Sequence, residues 1–512
     1  MVAASINTDT LLPVAIRLPY PTGKHCDDAC DWNADSRHIT EIISSTPGHA
    51  ILRHSLDSTV YYIDLAWENA DVPVMAARNE VRLTPTSGKW SFTATFTPNR
   101  PNVTPIAADN VHSAAAGWWQ RFWNDGGVVD FSHCTDPRAA ELERRVVLSQ
   151  YLLAAQCAGD TPPQETGLTY NSWFGKFHME MIWWHQAQFA LYGHDDLLMR
   201  TLPWYGKAAD IARSIARRQG FDGLRWMKMT DPSGLEAPSK VGSFLIWQQP
   251  HLIYLAELLY RSNPSEGFLR QYYPLIEETA RFMESFAEKD NATGRYFLRG
   301  IIPAQETLRA AETINPPFEL SYWHFGLSTA QKWRERMGMP RDTARDAMIA
   351  SLSPLAALDS LYLAAESAPQ TYHDVRFTSD HMAVLAALGV LPKCPLVQED
   401  IMYSTFDWIY DNWNWDHTWG WDYPTTAMNA VRLGEPEKAL NALLMDKRTN
   451  TYLPNGHNYQ DGRLRCYLPG NGGLLTAVAL MCAGWDGCDT TNPGFPKDGS
   501  WDVRWENIKP LP

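Results

Sequence analysis

One glutamate in this sequence sits in a loop punctuated as a rigidly held side chain requires. Glu306 lies in the stretch Arg299–Gly326, RGIIPAQETLRAAETINPPFELSYWHFG, between Pro303 and the pair Pro316–Pro317. Proline fixes its own φ and restricts the residue before it. Such a loop can hold a carboxylate at a cavity mouth, where it could give or take a proton, and a helical pattern starts near Phe318. Taken alone, the segment fits an ordinary solvated loop glutamate at least as well. Only the residues elsewhere in the chain can distinguish a catalytic Glu306 from a solvated one.

Four clusters elsewhere interleave polar groups with large aromatics. In NSWFGKFHMEMIWWH (171–185), Lys176, His178 and Glu180 fall among Phe174, Phe177, Trp183 and Trp184. On a helix Phe177, Glu180 and Trp184 share a face. A carboxylate there is either paired with a buried Arg or Lys or binds a polar ligand. In the second cluster Arg225, Lys228, Gln248, Gln249 and His251 stand beside Trp226 and Trp247, with QQPH directly ahead of the apolar run LIYLAELLY. Any one of them could merely satisfy backbone groups; five together are harder to explain that way. The third, WIYDNWNWDHTWGWDYP (408–424), alternates Asp411, Asp416 and Asp422 with five tryptophans, Trp421 among them. Asn412–Trp421 fits neither helix nor strand periodicity and is expected to be a loop. The fourth, NGHNYQDGRLRCYLPGNGG (455–473), carries His457, Asn458, Gln460, Asp461 and Asn471, and its glycines permit close approach of backbone to a ligand.

These residue types suit sugars. A sugar ring presents C–H faces edged by hydroxyls, so broad aromatic faces beside carboxylates and amides match it. The chain has 22 Trp, and the clustering of many of them with polar residues is what a dry core would avoid.

The elements that must position these clusters change character along the chain. Residues 1–115 read as short strands between Pro, Gly, Asn and Asp turns, a β-rich domain resembling part of a sandwich. Residues 116–135 read as a linker. From Asp136, DPRAAELERRVVLSQYLLAAQCAG is an amphipathic helix. Further helical patterns follow near 175–193, 198–219, 244–262, 266–289, 318–337, 341–352, 378–389, 397–411, 424–433, 436–445 and 471–484. That many helices over 136–490 suggest a mainly α fold, an (α/α)6 barrel of helical hairpins whose long polar loops gather at one end. Residues 491–512 are Pro-rich and expected to lie extended on the surface.

Composition removes several function classes. The net charge of −14, with no basic cluster, argues against nucleic acid as a partner. No run of 18 apolar residues points to a membrane span. The N-terminus lacks the basic-then-apolar pattern of a signal peptide, so a cytoplasmic protein is expected, or a secreted one if a leader is missing. Eight cysteines in 512 residues are too few for a disulfide scaffold. His25, Cys26 and Cys30 have a metal-like look without a second pair nearby, so neither metal nor cofactor is expected. Asn102 and Asn291 open glycosylation sequons short enough to occur by chance. P-loop, dinucleotide, H-E-x-x-H and G-x-S-x-G motifs are all lacking.

The clusters, in this order, resemble family 65 glycoside hydrolases of the six-hairpin glycosidase superfamily. KFHMEMIWWH looks like that family's FHGHIFWDTE-type segment, and GLRWMKM like its GARYPW-type segment. IPAQETLRAAETINPPFELSYW resembles the GPDEYH…NNAYTN stretch, and GGLLTAVALMCAGW the last barrel helix. The resemblance spans about 170–485 and implies that Glu306 is the general acid and Asn315 one of the family's asparagines. The sequence departs from the pattern at three places. The family's sugar-gripping Trp-Asp pair is Trp183–Trp184 here, and Glu180 stands in for a nearby His. The segment that supplies the base in hydrolytic members reads RLRCYLPG, which leaves Asp461 as the nearest carboxylate, with Asp422 and Asp416 as competitors. The serines that bind phosphate in the family's phosphorylases have no clear match around Trp419–Pro424.

The resemblance thus implies inverting cleavage of an O-glycoside, an α-glycoside by family, with Glu306 as acid; Asp461 is the first candidate for the base. Glu180, Trp183, Trp184, Arg225, Lys228, Gln248, Gln249, His251, Asn315, Asp416, Trp421, Asp422, His457 and Asn471 are the candidate substrate-binding residues for an oligosaccharide or glycoside. Two alternatives share the fold: an inverting phosphorylase, and a non-catalytic sugar-binding protein on an eroded glycosidase scaffold.

Overall fold

A computed structural model describes all residues except 25–29, 103 and 238. His25 and Cys26 of the metal-like group, and the middle residue of the Asn102 sequon, lie outside the described residues. By internal contacts the chain divides between Asp125 and Gly126 into two compact units.

The alternating apolar pattern of the first unit builds two antiparallel sheets. Five strands run in the order Val2–Asn7, Lys89–Thr97, Thr59–Glu68, His49–Leu56, His38–Thr46. Three more pair as Val14–Arg17, Glu80–Leu83, Val74–Ala77. Leu52, Ile63, Leu65 and Trp90 from the larger sheet share one core with Val81 and Leu83 from the smaller. The stretch expected to begin a linker at residue 116 is instead inside helix α1, Ala108–Asp125, which packs on the Val2–Asn7 strand. Its AAA and WWQRFW runs combine good helix formers with an aromatic stripe.

The second unit is helical. Its helices are α2 (Ala139–Cys157), α3 (Ile182–Leu191), α4 (Asp195–Thr201), α5 (Pro203–Arg218), α6 (His251–Ser262), α7 (Glu266–Phe286), α8 (Pro317–Arg336), α9 (Thr343–Ala350), α10 (Glu399–Asn412), α11 (Asp422–Arg432), α12 (Pro436–Leu443) and α13 (Leu468–Ala483). Two classes of helix are apparent. α3 is buried along its whole length and α13 nearly so, as expected of helices apolar all round. α5 and α7 are amphipathic and bury one face. The buried class forms a continuous series of contacts: α3 on α6, α6 on α8, α8 on the 3-10 turn Ala383–Leu388, that turn on α11, α11 on α13, and α13 back on α3. The amphipathic class packs outside it, with α2 on α13, α7 on α6 and α8, α9 on α8, and α12 on α11.

Several boundaries differ from the periodicity, each for a local reason. The helix expected from 175 starts only at Ile182, because Trp173, Phe174 and Gly175 take left-handed φ values of 46°, 61° and 69°. Phe177–His178 then pairs with Met229–Thr230 as a short antiparallel ladder. The helix expected from 244 starts at His251, directly after Pro250. The tail beyond 491, expected on the surface, buries Phe495, Trp501, Val503, Ile508 and Leu511, and Arg504–Glu506 pairs with Val128–Asp130. Apolar residues at that spacing are docked rather than exposed. Among the described residues no helix is long and apolar enough to cross a membrane.

The glycines of α13 serve packing rather than ligand approach. A Cβ on Gly472 would lie 1.7 Å from the carbonyl oxygen of Trp184, and one on Gly473 would lie 2.7 Å from Cγ of Pro424. Replacing Gly472 by Ala must therefore push α13 off α3, at a cost of about 3 kcal/mol or more. Gly206, exposed in α5 with nothing within 4 Å of its Cβ position, should behave oppositely, G206A stabilising by about 0.5–1 kcal/mol. Thermal melting of the two variants tests the pair; a G472A melting point equal to the parent's would refute the close contact.

Candidate active site

Loops at the ends of these helices bring two carboxylates and an ammonium into contact. Glu180 and Lys228 are set beside each other by the short ladder, whose pairing is extended by the Glu180 N–H donating to the Lys228 carbonyl at 3.1 Å. Lys228 Nζ then lies 2.9 Å from Glu180 Oε2 and 2.6 Å from Glu306 Oε1, and 4.8 Å from the centre of the Trp173 ring. His178 Nε2 meets the same Glu180 oxygen at 2.9 Å. Burial works against the charge on Glu180, yet Lys228 and His178 outweigh it and hold its pKa below the ordinary carboxylate range. Burial likewise opposes the charge on Lys228, and Glu180 with Glu306 overcomes it and raises the pKa.

The Glu306 loop is held at both ends. The Ala304 N–H donates to Glu319 Oε1 at 2.7 Å, from the first turn of α8, and Gln305 Nε2 donates to the Phe377 carbonyl at 2.8 Å. Asn315, itself at φ 50°, closes the base: its Oδ1 accepts from the Leu298 N–H at 2.9 Å and its Nδ2 donates to Glu366 at 2.6 Å.

A cavity of about 150 Å³ opens beside this centre. Glu306, Glu180 and Lys228 line it together with Asp461, Arg463, Asp380, His381, Glu165, Trp173, Trp419 and Tyr467. Asp461 accepts from the N–H groups of Arg463 at 2.7 Å and Leu464 at 3.0 Å, and its other oxygen meets the Arg463 guanidinium at 3.2 Å. Burial opposes its charge, but those donors hold its pKa below the usual value. His381 Nδ1 lies 3.0 Å from Oδ1 of buried Asp422, whose Oδ2 accepts from the Trp419 N–H at 2.7 Å. Burial disfavours the imidazolium; Asp422 and then Asp380 outweigh it, pushing His381 up to about 9. Asp380 is pushed up to about 6, first by burial and then, against the pull of His381, by the charges of Asp422 and Glu306. Among the described residues no group of His, Cys, Asp and Glu has the arrangement of a metal site.

Of the residues singled out from sequence, Glu306, Asp461, Glu180 and Lys228 line this cavity, and Asp422 stands one layer behind it. The others are placed differently. Arg225 donates to the carbonyls of Trp226 and Leu245, Gln248 to the same two, and Gln249 joins the Trp226 N–H to the Leu224 carbonyl. His251 Nε2 lies 3.0 Å from the Glu180 carbonyl, which can only accept, so Nδ1 accepts from the Tyr322 hydroxyl at 2.8 Å. Trp183, Trp184 and Trp421 are interior residues, Trp183 edge-on to Trp184 and Trp184 against Trp421. Asn471 bonds Ser149 and the Gly456 carbonyl, and His457 contacts Gln156 and Asn455. Asp416 is exposed and paired with Lys447. Sequence reasoning overlooked Glu165, Asp380, His381 and Tyr467, and named Trp173 and Trp419 only as cluster members. The doublet Asp380-His381, directly ahead of the apolar run MAVLAALGV, was a faint signal at most; Glu165, in a Pro-rich loop, offered none.

No family model matches the sequence, and no curated protein matches it. Solved structures share its fold. A putative kojibiose phosphorylase from the human microbiome aligns with 98% of this chain and 73% of its own, at a TM-score of 0.69 and 11% identity. A bacterial glucoamylase, solved in complex with acarbose, aligns with 84% of this chain and 73% of its own, at a TM-score of 0.51 and 12% identity. At such identities the likeness is one of fold alone, in keeping with the six-hairpin fold that the sequence resemblance implied.

Glu319 makes the site's supports testable. Burial pushes its carboxyl up to about 8 despite the Ala304 hydrogen bond, so the folded state holds a proton that the unfolded chain releases near the ordinary pKa. Stability is then full at low pH and falls between about pH 5 and 8, by up to about 1.4 kcal/mol per pH unit. Glu319→Gln should keep the hydrogen bond and flatten that slope, read as melting temperature at pH 5.5 and 8.0. Parallel curves for parent and variant would show that another group titrates.

Proposed function

We propose that the chain hydrolyses an O-glycoside with inversion, on an (α/α)6 barrel whose loop end carries the site. The closed series of helix contacts and the shared fold support the barrel. The observation that carries the chemistry is that Glu306 and Asp461 line one cavity together with the aromatic side chains Trp173 and Trp419.

Inversion needs an acid to protonate the leaving oxygen and a carboxylate, roughly 6.5–9.5 Å away across the sugar, to activate water. Glu306 is assigned the first role. Lys228 carries one positive charge against two carboxylates, so when Glu306 is protonated the Lys228–Glu180 pair remains balanced. Asp461 is assigned the second role: three donors around it favour its ionised form. As the C–O bond breaks, the Glu306 proton passes to the leaving oxygen. Water attacks from the other face and gives its proton to Asp461.

Phosphorolysis, the second reading, would need an anion in place of water. The cavity wall presents Glu165, Glu180, Glu306, Asp380 and Asp461 against Lys228, His381 and Arg463, a balance that disfavours a phosphate dianion. Attack by water fits the wall better.

Glu306→Gln should lower kcat on alkyl O-glycosides about 10²–10⁴-fold and much less on glycosyl fluorides, whose leaving group needs no proton. Asp461→Asn should slow both. NMR of the first-formed sugar should show the anomer opposite to the substrate's, with rates independent of phosphate. Full activity of E306Q on an alkyl glycoside, or release of a sugar 1-phosphate, would sink the assignment.

A further inference from the structure

Asp380 is left with an unexplained oxygen. Its Oδ2 is shielded from solvent and, among the described residues, has no hydrogen-bond partner, although a carboxylate so placed costs free energy unless something donates to it. Its Oδ1 accepts from Trp419 Nε1 at 3.3 Å, and its main chain is pinned, the N–H donating to the His417 carbonyl at 3.0 Å and the carbonyl accepting from Trp413 Nε1 at 3.1 Å. The residue sits at φ 66°, a conformation that a non-glycine residue keeps only where its surroundings enforce it.

His381 follows it in the chain and is fixed from behind. Asp422 takes its Nδ1, and the Trp421 ring lies against it with centroids 4.3 Å apart. Its Nε2, 3.7 Å from Asp380 Oδ1, is beyond hydrogen-bond reach of that oxygen. Both residues line the cavity that holds Glu306.

We infer that Asp380 and His381 form a hydroxyl clamp that selects the sugar in this cavity, Asp380 Oδ2 accepting from and His381 Nε2 donating to hydroxyls on one edge of the ring. A hydroxyl is both donor and acceptor, so an acceptor and a donor side by side suit a single hydroxyl or a vicinal pair, while Trp419 offers a face to the ring carbons. The hydroxyl must then be unsubstituted, and sugars lacking it are rejected because the clamp would stay buried and unpaired. The inference rests on the sugar-cleaving reading above. It adds the specificity residue that this chain lacks where Trp184 replaces the carboxylate of the related Trp-Asp pair.

The test measures binding without turnover. E306Q is titrated with D-glucose, D-mannose, D-galactose and D-xylose, following tryptophan fluorescence. At least one should bind, and adding Asp380→Asn should weaken it at least tenfold. One monodeoxy analogue of that sugar should lose the same factor against E306Q and nothing further against the double variant. A crystal of E306Q with the sugar should place a hydroxyl oxygen within hydrogen-bond distance of Asp380 Oδ2, which does not depend on the second variant folding. Binding unchanged by D380N, or a crystal with that oxygen facing no hydroxyl, overturns the clamp alone. Binding of none of the four overturns the clamp and the reading beneath it. Full turnover by E306Q would remove the acid while leaving the clamp standing.

Discussion

An ammonium group taken out of water has to be matched by anions within reach, and Lys228 meets that demand with two carboxylates from different parts of the chain. Glu180 comes from the turn ahead of α3 and Glu306 from the loop ahead of α8. The single cation therefore fixes the distance between two segments more than a hundred residues apart. Losing Lys228 would leave the Glu180 carboxylate buried without its cation, at a cost of about 3–5 kcal/mol. His251 and Tyr322 reinforce the arrangement by holding the Glu180 carbonyl from α6 and α8. Most of the polar residues nearby that seemed destined for a ligand are instead the frame that keeps this centre rigid.

Tryptophan is used in two ways in the same neighbourhood. Trp184, Trp247 and Trp421 stack inside the helices, and His381 rests on Trp421, so the imidazole at the cavity wall is backed by a stiff aromatic block. Trp419, two residues before Trp421, is 36% exposed while Trp421 is completely buried. The difference lies in the start of α11: Asp422 accepts the Trp419 N–H and turns the chain, sending one ring outward and the other in.

What could be read from sequence divides along the same line. The helical second unit was legible because α2, α7, α8 and α13 carry long uninterrupted patterns. The Glu306 loop was legible through its prolines and the spacing to Asn315. The start of α3 was not, since three successive left-handed residues at Trp173–Gly175 override a helical pattern, and only glycine among them signals it. The roles of Gln248, Gln249 and Arg225 were illegible for another reason. A buried amide satisfying carbonyls and one binding a sugar have the same sequence signature, and only the position of the carbonyls decides. Asp380 and His381 escaped notice because a two-residue doublet carries little information until Asp422 and Glu306 are seen beside it.

The contact of Gly472 with the Trp184 carbonyl has a bearing on how the chain is made. α3 emerges from the ribosome nearly three hundred residues before α13, and the strand at Val128–Asp130 waits even longer for Arg504–Glu506. The seam between the first and last buried helices is thus closed only after α13 has emerged. Until then the apolar flank of α3 has no lasting cover, and the nascent protein depends on whatever shields that flank in the meantime.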